Sequence, residues 1–144
     1  MSIRQISVFL ENKPGKLSEM TALLAANNID IRALSLAETN DFGIARMIVD
    51  DAYEALNMLR NNDFIANISH VLAFAVPNVP GGLNKLLNAF NEARVNIIYM
   101  YSCLGSNDPT KAYMLFRVTD MKPSEAALLA HGLRSLTPDE MAAI

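Results

Sequence analysis

The residues best suited to chemistry form a turn that occurs twice in this 144-residue chain. The first copy is Asn12-Lys13-Pro14-Gly15-Lys16-Leu17, and the second, 66 positions later, is Asn78-Val79-Pro80-Gly81-Gly82-Leu83. In each copy an apolar run precedes the turn and a helical pattern follows it. Because proline favours the first turn of a helix, each copy is expected to begin one.

A glycine at a helix start leaves the neighbouring backbone N–H groups accessible to a small molecule. Those first amides lack intrahelical partners and carry the positive end of the helix dipole. A carboxylate placed there gains charge-assisted hydrogen bonds without a Lys or Arg. The side-chain amides of Asn12 and Asn78 can add a further donor. The backbone amides concerned belong to Gly15, Lys16 and Leu17 in the first copy and to Gly81, Gly82 and Leu83 in the second.

A short branched segment follows each turn at the same distance. Ile29-Asp30-Ile31 and Val95-Asn96-Ile97 each begin 12 residues after the Leu of their turn. The side chains of Asp30 and Asn96, with carbonyls freed where an edge strand twists away, can accept hydrogen bonds from an ammonium group. Carboxylate donors near ammonium acceptors predict a site for a free amino acid.

The structural alternative to a binding site is that these turns are only turns. A Pro-Gly pair before an amphipathic helix most often has no further role. Two copies, each with Asn two residues before the Pro and each followed by a similar branched segment, favour a function. A structural oligomerisation module without a ligand remains the alternative.

Hydrophobic periodicity predicts the elements that position these turns. The first half of the chain indicates the order strand, helix, strand, strand, helix, strand, and the second half repeats it. In the first strand Ile6, Val8 and Leu10 alternate with a set that includes the polar residues Gln5, Ser7 and Glu11. The alternation changes phase near Ala33-Leu34, which predicts an irregular second strand. Leu133 to Leu136 is expected to form the closing strand.

The double pattern fits two ferredoxin-like βαββαβ units, each with both helices on one face of an antiparallel sheet. The predicted fold class is therefore α+β. We expect domains at residues 1–70 and 71–144, the second ending in a short helix capped by Thr137 with Glu140 at its third position. Because the second strand of each unit lies at a sheet edge, the units are predicted to join edge to edge into one eight-stranded sheet.

A set of apolar side chains alternates onto the sheet face away from the predicted helices. The set is Phe9, Ile44, Ile48, Met100, Tyr113 and Leu115. A soluble monomer rarely exposes an apolar patch of that size, so the sequence predicts a homodimer that buries this face.

Composition excludes several classes of partner. A net charge of −3 argues against nucleic acid, whose binding depends on clustered Lys and Arg. No run of about 18 apolar residues is present, so no membrane span is expected. The single cysteine, Cys103, cannot form an internal disulfide, which suits a reducing cytoplasm.

No residue set is typical of catalysis. His70 and His131 have no Cys or carboxylate nearby at metal-ligand spacing, and Cys103 has no base in a known signature. We therefore expect no catalytic residue, no metal and no cofactor. An acylphosphatase-like hydrolase on the same architecture is the less favoured alternative, because it needs an Arg in a phosphate-binding loop where this chain has only Lys13 and Lys16.

The repeated Asn-x-Pro-Gly-x-Leu turn, its helix and the branched segment resemble the ACT domain, an amino-acid-binding regulatory module, in the form found at the regulatory end of phosphoglycerate dehydrogenase. The resemblance covers nearly the whole chain, as two tandem units with no catalytic domain attached. It implies a non-catalytic sensor of a free amino acid that acts on a separately encoded metabolic enzyme or regulator.

The resemblance also implies that ligands bind at the interface of paired units, between the first loop of one and the second strand of the other. Because Asp30 replaces the Asn of the dehydrogenase pattern and Lys16 stands where the second copy has Gly82, the two sites are not expected to be equivalent. By position the implied contacts are Asn78, Val79, Pro80, Gly81, Gly82 and Leu83 with Asp30 and Ile31, and Asn12, Lys13, Pro14, Gly15, Lys16 and Leu17 with Asn96 and Ile97.

Overall fold

The computed structural model describes residues 1–144 and contains six strands and five helices. The chain divides into an N-terminal unit, Arg4–Ser69, and a C-terminal unit that combines Met1–Ile3 with His70–Ile144. In chain order the elements are β1 (Ile3–Glu11), α1 (Lys16–Ala26), β2 (Ile31–Glu38), β3 (Phe42–Val49), α2 (Ala52–Asn61), β4 (Ile65–Pro77), α3 (Gly82–Glu92), β5 (Ile97–Ser102), β6 (Lys111–Val118), α4 (Met121–Ala130) and α5 (Pro138–Ala142).

In the N-terminal unit β3 pairs antiparallel with β1 on one side and with β2 on the other. The alternating apolar residues of β1 are buried against the helices, where α1 contributes Met20 and Leu24 and α2 contributes Leu59. The register of β2 shifts between Ile31 and Ala33, close to the predicted irregularity. Burial of this one face, at about 25 cal/mol per Å² of apolar area, holds the helices on the sheet.

In the C-terminal unit β6 pairs antiparallel with β4 and with β5. Its core contains three phenylalanines from two strands and one helix, Phe74, Phe90 and Phe116. The Phe74 ring meets the other two edge to face, with centroids 5.4 and 6.0 Å away. Such aromatic pairs add about 0.5–1.5 kcal/mol each to the free energy of area burial.

The α+β class and the repeated βαββαβ pattern are confirmed, but the prediction of eight strands was wrong. β4 is a single strand of 13 residues, and it supplies both the last strand of the N-terminal unit and the first strand of the C-terminal unit. The predicted closing strand, Leu133 to Leu136, is irregular and bonds to β4 through the Leu136 N–H and the Ala73 carbonyl, 2.8 Å apart. Ser135 is buried within this segment, and its hydroxyl donates a hydrogen bond to the Glu125 carboxylate.

The predicted apolar patch is smaller than the sequence indicated. Ile48 and Leu115 are only 3% and 0% exposed, so the chain itself covers them. Met100 packs against the helix-side core, because the register of β5 shifts near its start and changes which side chains face the helices. Of the six predicted residues, Phe9 is the one that is substantially exposed, at 41%.

The predicted cap of the last helix is confirmed. The Thr137 side chain accepts a hydrogen bond from the Glu140 N–H, and the Glu140 carboxylate accepts one from the Thr137 N–H. Arg134 adds a two-pronged ion pair to that carboxylate, with distances of 2.8 and 3.1 Å. Arg134 first, and then the Thr137 N–H, lower the pKa of Glu140 from its ordinary 4.5 to about 2.

This shift predicts a pH-dependent α5. Because the folded pKa of Glu140 is depressed, its contribution to stability is present above about pH 4.5 and is lost as pH falls towards 2. A carbon-detected NMR titration of the side-chain carboxyl should give a Glu140 midpoint near 2, and Arg134→Met should move it towards 4.5. A wild-type midpoint near 4.5 would contradict the ion pair.

Candidate functional site

Both repeated turns have the same backbone conformation. The residue before each helix is a glycine in the left-handed region, Gly15 with φ 87° and Gly81 with φ 85°. A residue with a Cβ is disfavoured there by roughly 1–2 kcal/mol, which explains the glycine in each copy. A Cβ built on either glycine has no atom within 4 Å, so the space in front of both turns is open.

The turns use some of their amides internally and leave others unpaired. The Lys16 N–H donates to the Lys13 carbonyl at 3.4 Å, and the Gly82 N–H to the Val79 carbonyl at 3.0 Å. The expectation that these two amides are available to a ligand was therefore wrong. No backbone acceptor pairs with the amides of Gly15, Leu17 and Ser18 in the first turn or of Gly81, Leu83 and Asn84 in the second.

Gly82 has a packing role that its neighbour Gly81 lacks. A Cβ on Gly82 would lie 2.2 Å from the Pro77 carbonyl oxygen, so the helix start packs directly on the end of β4. The equivalent residue of the first turn is Lys16, which carries a side chain. The two turns thus share a backbone conformation but approach the preceding strand differently.

The asparagines connect the turns to the loops between neighbouring strands. The Asn12 N–H donates to the Asp41 carbonyl at 3.2 Å, and the Asn78 N–H to the Thr110 carbonyl at 2.8 Å. The Asn78 side-chain amide also donates to the Pro109 carbonyl at 3.3 Å. One side-chain amide hydrogen of Asn78 therefore bonds to the loop before β6, and a second hydrogen remains on the same nitrogen.

The predicted acceptors Asp30 and Asn96 are more occupied than the sequence indicated. The Asp30 carbonyl accepts from the Asp50 N–H at 3.2 Å, and the Asn96 carbonyl accepts from the Thr119 N–H at 3.1 Å. Neither carbonyl is free, because each accepts a backbone hydrogen bond next to the end of a pair of strands. The remaining acceptor groups at these positions are the side-chain oxygens.

Those side chains also have neighbours. The Asp30 carboxylate forms an ion pair with the Arg32 guanidinium at 3.0 Å. The Asn96 side chain donates to the Thr119 hydroxyl at 3.1 Å, which leaves the Asn96 side-chain oxygen as an acceptor. The two predicted ammonium sites are therefore chemically different, one charged and shared with Arg32, the other neutral.

Within one unit the turn and the acceptor segment lie at opposite ends of the sheet. In the N-terminal unit Glu11 pairs with Phe42 at one end of β3, and Ile31 pairs with Val49 at the other. Eight residues of strand separate these ends by roughly 23 Å. The C-terminal unit has the same arrangement along β6. One small ligand cannot contact both groups of the same unit.

A cleft lies beside each turn, at equivalent positions of the repeat. The N-terminal cleft has a volume of about 400 Å³ and the C-terminal cleft about 560 Å³. The first is lined by Phe9, Leu10, Glu11, Lys16, Glu19, Phe42, Asn62, Asp63, Phe64 and Ile65. The second is lined by Ala75, Val76, Pro77, Gly82, Lys85, Leu86, Asn88, Ala89, Glu92, His131 and Leu133.

No group of three or more His, Cys, Asp and Glu side chains is placed to hold a metal ion. No helix is both long enough and apolar enough to cross a membrane. The features with binding potential are the two turns, the clefts beside them and the strand entries at Asp30 and Asn96.

A family model described as the ACT domain pair matches residues 1–144. The chain belongs to the ACT domain pair family. The predicted resemblance is confirmed, and members of this family typically bind amino acids for regulation. No catalytic family is indicated.

Several solved structures are similar to this chain. Protein BT0572 from Bacteroides thetaiotaomicron is 38% identical, with a TM-score of 0.89, over 100% of this chain and 98% of that one. The regulatory subunits of aspartate kinase from Thermus thermophilus and Thermus flavus are each 18% identical, with TM-scores of 0.64 and 0.62. The match to the Thermus thermophilus subunit covers 88% of this chain and 89% of that subunit, and the match to the Thermus flavus subunit covers 90% of each chain. These two subunits share the fold of this chain. A comparison with curated proteins gives no match.

Sequence reasoning missed several residues of the ACT turns. The unpaired amides of Ser18 and Asn84 follow from the rule that the first amides of a helix lack partners, so that signal was present. Arg32 lies two residues from Asp30 in the sequence and could also have been found. The support of Asn78 by Pro109 had no local signal, because 31 residues separate them.

The contact at Gly82 predicts that alanine substitutions at Gly82 and Gly105 differ in their effect on protein stability. Gly82→Ala should lower the free energy of unfolding by about 1–3 kcal/mol, since its Cβ meets backbone that cannot move freely. Gly105→Ala is the matched control, because Gly105 has no positive φ and no atom within 4 Å of a built Cβ. Urea denaturation measures both, and equal stabilities would contradict the close approach.

Proposed function

We propose that this ACT pair is a non-catalytic sensor that binds a free amino acid and transmits its occupancy to a separately encoded enzyme or regulator. The observation that carries the proposal is the helix start at Gly81, with open space in front of it and unpaired amides beside it. Family membership supports an amino acid as the ligand. The single Cys103 suits a cytoplasmic location.

The ligand carboxylate binds the amides of a turn, where the helix dipole favours negative charge. The ammonium group binds an acceptor side chain at Asp30 or Asn96. Because these groups lie roughly 23 Å apart within a unit, a ligand that uses both must contact two units, of one chain or of two copies. The contact set is the one implied by position, extended by the unpaired amides of Ser18 and Asn84.

Such a ligand acts by population shift. A molecule that contacts two units stabilises the arrangement that presents both halves of its site, and it can shift the equilibrium only by its differential affinity for the two arrangements. A partner protein that recognises one arrangement then responds to amino acid concentration. Typical coupling free energies of this kind are about 1–3 kcal/mol.

The structural alternative is favoured by one observation. Gly82 is explained by its contact with Pro77, and Gly81 by its positive φ, without any ligand. A structural oligomerisation module would keep both glycines for these reasons. A ligand-binding experiment distinguishes the sensor from the structural module. An acylphosphatase-like hydrolase is disfavoured because the turns of this chain lack the Arg that such a loop needs.

A screen of the twenty amino acids by thermal shift tests the proposed function. An amino acid present at 100 times its Kd should stabilise the protein by about 2.7 kcal/mol and raise its Tm. Gly81→Val should abolish the response, because its side chain occupies the open space in front of the turn. Stability of Gly81→Val without any amino acid is the control, and no response to any of the twenty would support the structural alternative.

We also infer that the chain forms a homodimer. Phe9, Phe42 and Ile65 line the N-terminal cleft with 41%, 54% and 67% of their surface exposed. Sedimentation velocity at micromolar concentration should show a dimer, and Phe42→Ser should weaken it because burial of that ring favours association. Leu129→Ser, at a residue that is 59% exposed in the other unit, is the control. A wild-type monomer would remove the inference.

A further inference from the structure

The two units differ on the sheet face that points away from their helices. In the C-terminal unit Leu115 of β6 lies between Ala73 of β4 and Tyr101 of β5 in the antiparallel register. All three are buried, although the helix-side core is built from the alternate residues of the same strands, such as Phe74 and Phe116. A part of the chain other than α3 and α4 therefore covers this apolar triplet, Ala73, Leu115 and Tyr101.

The equivalent positions of the N-terminal unit are polar. Ser7 and Ser35 pair with Arg46 from its two sides, in the same register, and all three are only partly buried. The N-terminal unit has no third helix, because β4 continues directly into the next unit. The replacement of three polar residues by three apolar ones thus indicates a cover that exists in the C-terminal unit alone.

The C-terminal helix α5 is placed to be that cover. Leu136, just before it, donates its N–H to the Ala73 carbonyl at the edge of β4. Near its end the Ala143 carbonyl accepts from the Asn107 side chain, in the loop between β5 and β6, at 3.0 Å. Met141, between these attachments, is 4% exposed and is not part of the helix-side core. These positions put α5 across the apolar triplet.

The loop that holds the end of α5 also holds the second turn. It spans residues 103–110, whereas the loop between β2 and β3 spans 39–41. The carbonyls of Pro109 and Thr110 accept from the side chain and the N–H of Asn78, at 3.3 and 2.8 Å. Within the loop the Asp108 carboxylate accepts from the Thr110 N–H and hydroxyl, at 3.0 and 2.6 Å. The loop is therefore a braced connection between the turn and α5.

α5 depends on its attachments. Its five residues are too few to form a stable helix by themselves. The capping box at Thr137, the ion pair of Arg134 with Glu140 and the burial of Met141 therefore supply its stability. Such a segment opens locally at a lower free energy than the core of its unit. Loss of one attachment is thus expected to shift α5 from docked to released.

We propose that α5 is a releasable cover of the apolar triplet, and that its docking is coupled to the second turn through the loop of residues 103–110. A change in the turn that alters the bond from Asn78 to Pro109 moves the loop, and with it the bond from Asn107 to Ala143. Release of α5 uncovers the apolar triplet, so the two states present different surfaces. Regulation by this route depends on the amino-acid binding proposed above, whereas the coupling within the unit does not.

Hydrogen exchange of the full chain, followed by peptic digestion and mass spectrometry, measures how often α5 is released. Asn107→Ala removes the bond to Ala143 and should speed exchange across residues 139–144 about threefold to tenfold, the range for one lost hydrogen bond. Asn78→Ala leaves α5 and its attachments in place, so exchange there that is faster by about twofold or more requires the coupling. Asn12→Ala, in the first turn, is the matched control.

Three results of that experiment would overturn the proposal. Unchanged exchange of α5 in Asn78→Ala would remove the coupling, and so would equal increases in Asn78→Ala and Asn12→Ala. Complete exchange of α5 in the wild type at the earliest time would show that it does not cover the sheet. The Tm of each variant verifies that it folds.

The coupling must also act in reverse, because a coupling free energy is reciprocal. Met141→Ser should release α5 and move the Gly81 and Gly82 amide signals of a 15N-glycine-labelled protein. Leu129→Ser, at an exposed position of α4, is the control and should not move them. Unmoved Gly81 and Gly82 signals in Met141→Ser would contradict the coupling.

The amino acid that gives the largest Tm increase among the twenty tests the regulatory role. Adding it to the wild type should change the exchange rate of α5 by about fivefold or more, the lower end of typical allosteric coupling. Binding without any change at α5 would overturn that role. A screen without any responding amino acid would instead refute the proposed function, and the variants would still report the coupling.

Discussion

The structure depends on a helix that begins immediately after a glycine of positive φ. The left-handed residue turns the chain sharply between the strand end and the helix, so that the helix can pack on the sheet within a few residues. The same geometry leaves the first amides of the helix without partners. The packing of the helix and its unpaired amides therefore depend on one local feature, and its two copies at Gly15 and Gly81 differ by only 2° in φ.

Local sequence patterns predicted the individual strands and helices well, but they predicted the junction between the two halves of the repeat poorly. Alternation along Ile6, Val8 and Leu10 gave the strand and its buried face because a strand's side chains point alternately to its two faces. The change of phase near Ala33 indicated the register shift for the same reason. The join at Ser69 to Val71 carries no Gly or Pro, so the chain continues as one strand where the repeat pattern suggested two.

The site was predictable where it is local and not where it depends on distant partners. Pro and Gly next to each other specify the turn, and the orphan amides follow from helix geometry alone. The bond from Asn78 to Pro109 spans 31 residues, and the carbonyl of Asp30 is occupied by Asp50, which is 20 residues away. From the sequence alone, the backbone carbonyl of a residue just before a strand looks unpaired, because its hydrogen-bond partner lies in a distant part of the chain.

The two adjacent glycines of the second turn meet two different structural requirements. Gly81 is required by its φ and Gly82 by the nearness of the Pro77 carbonyl, so neither glycine by itself indicates a ligand. Those two requirements account for neither the amides without backbone acceptors nor the open space in front of Gly81. The first turn has equivalent unpaired amides, and Glu11 and Glu19 form ion pairs with its lysines. Since the cap glycine has nearly the same φ in both turns, the two copies differ in the side chains around it.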